Sequence, residues 1–324
     1  MTEQLAQPER LSPLVQRLRA PNPGPMTLTG TNSYIVGSGP DFIVIDPGPD
    51  MAGHIQTLAG AVNREGGHLK TILVTHGHPD HYPGAQTLSQ LTGAPVAAYT
   101  GATFPHTQDL ADGATITATG VTLTAIFTPG HATDHLCFFL AEEKALFTGD
   151  NILGTGTTVV APPKGSMAAY LASLRRLQAA YSHAETIYGG HGPEIKNPAA
   201  KIEEYLNHRQ ARQQQLMKAL AVGESTIAEL VERIYQDVDR RLWPAAARQV
   251  LAYLIMLEES GQVQAHEATP TAQDQANESL LNPAGSLDPV AAAELGISNQ
   301  PTGQPGDHSE KLKRYSLVGQ PGSL

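Results

Sequence analysis

Thr75-His76-Gly77-His78-Pro79-Asp80-His81 places three imidazoles and a carboxylate within one short stretch. The residues ahead of it, Lys70-Thr71-Ile72-Leu73-Val74, form an apolar, β-branched run that predicts a buried strand. Gly77 and Pro79 forbid a regular continuation, so the cluster lies in a loop just past a strand end. Open α/β sheets place their sites at that position. Imidazole and carboxylate in this density suit zinc or a similar borderline cation.

Three more strand ends repeat the arrangement. An apolar run ends in Thr128-Pro129-Gly130-His131, another in Thr148-Gly149-Asp150, and a third in Gly189-Gly190-His191. One histidine at a strand end is usually structural, but four such deliveries to one edge predict a single metal site. Asp46, at the end of Phe42-Ile43-Val44-Ile45, is predicted to brace the His76–His81 loop by hydrogen bonds rather than to bind metal. His135 enters the apolar run Leu136–Leu140 and is predicted to be structural. His106 is isolated, in a surface or supporting place. Cys137 is the sole cysteine and is predicted to lie in the core.

Working outward, Pro21-Asn22-Pro23-Gly24-Pro25 opens a shaped loop before a strand at Thr31-Asn32-Ser33-Tyr34-Ile35-Val36. Asn32 and Tyr34 are candidates to reach a substrate, as is Thr157 in the glycine- and threonine-rich segment 151–160. A helix over Met51–Arg64 between two strands makes a βαβ unit. Residues 1–193 are therefore predicted to be an α/β catalytic domain. Beyond Pro193 only helices and one strand turn are predicted, with Ser225 as a helix N-cap and Pro244 opening a last helix, so 194–266 forms a small winged-helix-like module. That segment holds ten acidic and nine basic residues, a balance that suits packing or a substrate lid and not duplex DNA reading. Residues 267–324 are rich in Gln, Asn, Pro, Ser and Gly and are predicted to be a mostly disordered tail, with a helical turn or two over Pro289–Ile297.

The whole chain has 324 residues, of which 21 are Lys or Arg and 31 Asp or Glu, a formal net charge of −10. That argues against a broad phosphate-binding surface but does not exclude nucleic acid, because a bound metal pair would add local positive charge. Met1–Arg19 lacks a signal-peptide core and no apolar run reaches the length of a membrane span. A cytoplasmic protein is expected, with a mitochondrial matrix location as a weaker alternative. Oligomeric state stays open.

Asp46, the His76–His81 cluster, His131, Asp150 and His191 resemble, in order and context, the five signature motifs of the metallo-β-lactamase superfamily. The flanks Asn22-Pro23-Gly24-Pro25-Met26-Thr27, Thr31-Asn32-Ser33-Tyr34, Thr155-Gly156-Thr157-Thr158-Val159 and Tyr205…His208-Arg209…Arg212 are similar to the β-lactamase-like protein 2 group. That group carries a C-terminal winged-helix-like module, and its characterised mitochondrial member is an endoribonuclease on single-stranded RNA. The resemblance implies an αββα sandwich followed by the helical module. It implies His76, His78 and His131 on one metal, Asp80, His81 and His191 on a second, and Asp150 bridging them. Two zinc ions per chain are implied, with Mn2+ or Fe2+ possible for the same ligands. A metal pair about 3.5–4 Å apart lowers the pKa of bound water to about 7, and the resulting hydroxide serves as nucleophile, with Asp80 as a proton shuttle. Single-stranded RNA is the first substrate expectation. A glyoxalase II-type thioester or a lactone is the alternative, and a non-catalytic metal-bound scaffold the third.

Overall fold

A computed structural model describes residues 7–270 and 312–319. The elements are, in order, β1 (Glu9–Arg10), β2 (Val15–Arg19), β3 (Asn32–Val36), β4 (Asp41–Ile45), α1 (Ala52–Arg64), β5 (His68–Leu73), α2 (Gly84–Thr92), β6 (Val96–Tyr99), β7 (Gln108–Leu110), β8 (Thr115–Ala118), β9 (Val121–Phe127), β10 (Leu136–Leu140), β11 (Ala145–Gly149), α3 (Met167–Ala180), β12 (Thr186–Gly189), α4 (Pro198–Leu220), α5 (Ile227–Ile234), α6 (Trp243–Glu259), β13 (Val263–Ala268) and β14 (Leu312–Leu317). None of the described helices is long and apolar enough to cross a membrane.

The chain divides into two compact units. The first takes the residues up to Thr158 together with Ala169–Tyr205, the second Val159–Ala168 and the residues from Leu206 on. The division expected at residue 193 thus falls later, inside α4, and it leaves out a short excursion. Tyr205 explains the first shift: it is fully buried and its hydroxyl accepts from Leu153 N at 3.0 Å. The excursion is tied to the second unit by Val160 N, which donates to Gln249 Oε1 at 3.4 Å.

In the first unit a seven-stranded sheet runs in the order β1 to β7, antiparallel through β4 and parallel from β4 to β7. A five-stranded sheet has the order β12-β11-β10-β9-β8, with β11 and β12 parallel. Their inner faces share one core, in which Val36, Ile43, Ile45 and Leu73 of one sheet meet Leu123, Phe138, Phe147 and Tyr188 of the other. On the far side of the first sheet, Ile55, Leu58 and Val62 of α1 and Leu88 of α2 bury against Phe42, Val44, Ile72 and Val96. Tyr170, Leu174 and Leu177 of α3 are buried, and Tyr181 just past it contacts the ring of Phe139 on β10. This is the expected αββα order of layers. The strands β1, β2 and β7 were not expected. β2 lacks an alternating pattern because Gln16 and Arg17 are themselves buried, Arg17 through an ion pair to Glu9 at 2.7 Å.

The second unit corrects two expectations. The N-cap of α5 is Thr226, not Ser225, closed by a reciprocal capping box with Glu229. Ser225 is engaged elsewhere, exchanging backbone hydrogen bonds with Tyr315. Tyr315 lies in β14, which pairs antiparallel with β13 from Val263↔Leu317 to Ala268↔Leu312. The 267–324 tail therefore contributes a strand to the winged-helix sheet. The rest of that tail, including Pro289–Ile297, lies outside the described residues.

Candidate metal centre

Each cluster residue sits in a turn directly beyond a strand. The loop after β5 carries His76, His78, Asp80 and His81; β9 leads to His131, β11 to Asp150 and β12 to His191. The β11 and β12 turns come so close that a Cβ on Gly190 would collide with Asp150 Oδ1 and come within 2.8 Å of His81 Cε1. Only glycine allows that approach.

Three groups of donors converge: His76, His78 and His131; Asp80, His81 and His191; and His76, His81 and Asp150, which links the other two. In the first, His78 Nδ1 lies 3.0 Å from both His76 Nε2 and His131 Nε2. Nitrogens at about 2.0–2.1 Å from a tetrahedral zinc stand about 3.3 Å apart, so this spacing is that of a coordination shell. In the second, Asp80 Oδ2 lies 3.2 Å from both His81 Nε2 and His191 Nε2. Asp150 reaches toward both, with Oδ1 at 3.4 Å from His81 Nε2 and Oδ2 at 3.4 Å from His191 and 3.8 Å from His131.

The donor set fits a divalent cation. Asp80 Oδ1, Asp150 Oδ1 and His81 Nε2 are buried with no hydrogen-bond partner. Buried polar atoms are otherwise nearly always satisfied, and a cation between His81 Nε2 and Asp150 Oδ1, which lie 3.4 Å apart, would satisfy both. Burial, then the neighbouring imidazoles, hold His76 far below the ordinary histidine range. Burial and His131 take His78 to about 3, so both are neutral and free to coordinate. Burial also opposes charge on His81 and His191, but the carboxylates outweigh it. Asp80, Asp150 and Asp46 lift His81 well above the ordinary range, and Asp150 with Asp80 lifts His191 to about 10.

Asp46 supports the loop as expected and does more. Its backbone φ is +50°, a conformation that Asp and Asn adopt more readily than most residues. Its Oδ1 accepts from Thr75 N at 2.7 Å, and its Oδ2 faces His81 Nδ1 at 2.8 Å and accepts from Thr75 Oγ1 at 2.7 Å. The Thr75 hydroxyl, having donated to Asp46, accepts from His76 Nδ1 at 2.9 Å. One carboxylate thereby places protons on the Nδ1 atoms of His81 and His76, so that neutral His76 turns an unprotonated Nε2 to the cluster and His81 does so once it gives up its second proton to a metal. The role of Thr75 was not foreseen, because a threonine at a strand end carries no distinctive signal.

Asn32 and Tyr34 were expected to reach a substrate, and the structure corrects this. Both are buried. Asn32 Nδ2 donates to the carbonyls of Gly189 and Gly192 at 3.0 and 2.9 Å, and the Tyr34 hydroxyl donates to Gly189 O at 2.7 Å. They fix the turn that carries His191. Every residue of β3 is buried, so this inner strand has no face to offer a substrate. Thr157 is exposed in the turn that follows Asp150. His135 is structural, its Nδ1 on Thr128 Oγ1 at 2.9 Å and its ring stacked on His76 at 5.0 Å. His106 pairs with Asp109 at 2.9 Å, and burial raises the Cys137 thiol to about 12 within the core.

Residues 26–191 match the metallo-beta-lactamase superfamily and residues 226–271 the beta-lactamase associated winged helix domain. An "Atrochrysone carboxyl ACP thioesterase" of Aspergillus fumigatus is 39% identical over 241 residues, covering 69% of this chain and 74% of that protein. A "Beta-lactamase-like protein 2 homolog" of Caenorhabditis elegans is 35% identical over 267 residues, covering 79% and 88%. A metallo-beta-lactamase family protein from Thermus thermophilus superimposes with a TM-score of 0.66 at 25% identity, covering 79% of this chain and 97% of that one. The chain belongs to the metallo-beta-lactamase superfamily, whose fold and metal-ligand geometry mark it as a metal-dependent hydrolase, with the superfamily's associated winged-helix domain following.

Proposed function

We propose that this protein is a dinuclear zinc hydrolase acting on thioesters, with His76, His78 and His131 holding one ion, Asp80, His81 and His191 the other, and Asp150 between them. Bound there, such a pair supplies a water of lowered pKa and a Lewis-acid contact for the oxygen under attack. The chain's own part is to hold seven donors rigid: Asp46 and Thr75 set two imidazole tautomers, and Asn32 and Tyr34 fix the His191 turn. The exposed Thr155–Thr157 turn supplies substrate contacts. It is kept in shape by the Tyr205 hydroxyl, which donates to Gly156 O at 3.1 Å, and by Thr158 Oγ1, which donates to Asp150 O at 2.7 Å.

The observation that carries the thioester is the 39% identity to a protein named for thioester hydrolysis, across a stretch that includes most of this chain. It reverses the order of substrates expected from sequence, and leaving-group chemistry supports the change. A thiol of pKa about 8.5 departs as thiolate without a proton donor, whereas an RNA alkoxide does not. A net charge of −10 also disfavours a long polyanion. Single-stranded RNA is the second reading. It is favoured by the likeness, through both domains, to the beta-lactamase-like protein 2 homologue.

The test sets acyl-coenzyme A, an acylated carrier protein and S-lactoylglutathione against a single-stranded RNA oligonucleotide, with zinc-loaded wild type and Asp80→Ala. Metal-dependent thioester turnover lost in Asp80→Ala supports the proposal. RNA cleavage lost in Asp80→Ala, without thioester turnover, replaces it with the second reading. No turnover of any of these sinks both.

A further inference from the structure

The proline-rich loop ahead of β3 is not a passive connection. It closes over the second donor group and touches two of its three members. Thr31 Oγ1 donates to Asp80 Oδ2 at 2.8 Å, on the same oxygen that faces His81 and His191. Thr31 also forms an isolated β-bridge with His191. Thr31 and Asp80 are almost wholly buried.

The direction of that hydroxyl is fixed from behind. Asn22 Oδ1 accepts from Thr31 N at 2.9 Å, and Asn22 Nδ2 donates to Thr31 Oγ1 at 3.0 Å. A hydroxyl that receives a hydrogen bond from an amide must turn its own proton elsewhere, and Asp80 is the acceptor in reach. The loop holds Asn22 there by further bonds. Thr27 Oγ1 donates to Asn22 O at 2.5 Å, and Gly24 forms a β-bridge with Leu28. Gly30 sits at φ +121°, where a Cβ would collide with the carbonyl of Ala20, so the chain closes over Asp80 only with glycine there.

We infer that Asn22 and Thr31 form a relay that positions the Asp80 carboxylate for the second metal, and that the loop of residues 21–31 exists to deliver it. The inference rests on the dinuclear reading of the cluster. Thr31 and Asn22 act through Asp80 and are positioning residues. Hydrogen bonds to ligating carboxylates of this kind are worth about 10–100-fold in metal affinity or activity.

Three variants test it, read by competition of the apo-protein with a chromophoric chelator for Zn2+ and by urea unfolding of the same apo-protein. Thr31→Val keeps the shape and removes the hydroxyl; it should weaken one of two zinc equivalents by about 10–100-fold. Thr31→Ser restores the hydroxyl and should return affinity to within a few-fold of wild type. Asn22→Asp keeps the acceptor for Thr31 N but offers the hydroxyl a carboxylate in place of an amide donor. Two carboxylates then compete for the one proton, Asp80 loses its fixed donor, and one zinc equivalent should weaken by about 10-fold or more, a result that stands even where Thr31→Val fails to fold. Wild-type affinity for both equivalents in Asn22→Asp overturns the relay. So does a Thr31→Ser variant as impaired as Thr31→Val, since packing alone would then explain the effect. A wild-type protein that takes up one equivalent or none refutes the dinuclear reading instead, and is told apart by that count.

Discussion

Replacing Asp46 by Asn tests the support of the cluster with the least change in shape. Asn tolerates φ +50° about as well as Asp, so the backbone conformation is preserved. The amide oxygen can still accept from Thr75 N, now 2.7 Å from Oδ1. At the other position an NH2 donor replaces an oxygen that faces His81 Nδ1 at 2.8 Å and Thr75 Oγ1 at 2.7 Å. Two donors would then face His81 Nδ1–H, and the ring escapes by moving its proton to Nε2, the atom that points into the cluster. The Thr75 hydroxyl loses its acceptor as well, and with it the reason to accept from His76 Nδ1. Each donor group thus has one imidazole in the wrong tautomer. At about 10–100-fold per outer contact, zinc affinity should fall by that factor at each site, about 1.4–2.7 kcal/mol apiece. Asp46→Ala should in addition lower the stability of the apo-protein by about 1–3 kcal/mol for each buried donor left without its acceptor, these being Thr75 N, Thr75 Oγ1 and His81 Nδ1. Metal stoichiometry by elemental analysis, chelator competition and urea unfolding measure the three quantities. Two zinc equivalents bound by Asp46→Asn at wild-type affinity would refute the tautomer argument.

Zinc uptake near pH 7 should release protons, because His81 and His191 are held protonated by their carboxylate neighbours and must lose that proton to ligate. Calorimetry in buffers of different ionisation enthalpy should show the release, and a buffer-independent enthalpy would contradict it; His191→Ala should bind one equivalent fewer. His54 is buried against Ser33 Oγ at 2.9 Å, and burial lowers it from 6.5 to about 4. Its folded pKa is depressed, so the unfolded chain binds the extra proton and stability is lost as pH falls from about 6.5 to 4, by about 3 kcal/mol. His54→Gln should flatten that limb of stability against pH, and an unchanged slope would show that the residue is protonated in the fold. Tyr315→Ala should lower the stability of the second unit by about 3–5 kcal/mol, as expected for a buried aromatic residue. An unaltered urea midpoint for that unit would mean that β14 adds nothing to the sheet.

The donors were legible because each lies in a strand-end stretch where glycine or proline breaks an apolar run beside metal-binding side chains. That pattern needs only neighbours in sequence, and it located His76, His78, Asp80, His81, His131, Asp150 and His191. What stayed hidden depends on distant partners. β14 pairs with a strand that ends at Ala268, so nothing near Leu312–Leu317 marks it as structured. Ser225 is a good N-cap by residue type and loses the role to Thr226 because Tyr315, far along the chain, takes its backbone. Asn32 and Tyr34 failed for a related reason. Polar side chains on a strand suggest an exposed face, but β3 lies between β2 and β4 under both cores, and their polar atoms close onto the His191 turn.

Polar residues, of which only Asp46 was marked by the sequence as a support, form two separate braces around one cluster. Asp46 and Thr75 hold His81 and His76 from the strand side, and Asn22 and Thr31 hold Asp80 from the loop side. The braces meet only through the second group, where Asp80 Oδ2 and His81 Nε2 are 3.2 Å apart. Contacting residues in one network couple by about 0.5–3 kcal/mol, whereas residues without shared partners add. Loss of either brace therefore bears on the Asp80, His81 and His191 group, while only the Asp46 brace reaches His76 and the group it forms with His78 and His131. The two halves of the centre are unequal by construction. The first rests on imidazoles that burial keeps neutral, and the second on a charge-coupled set that needs both braces to present its donors.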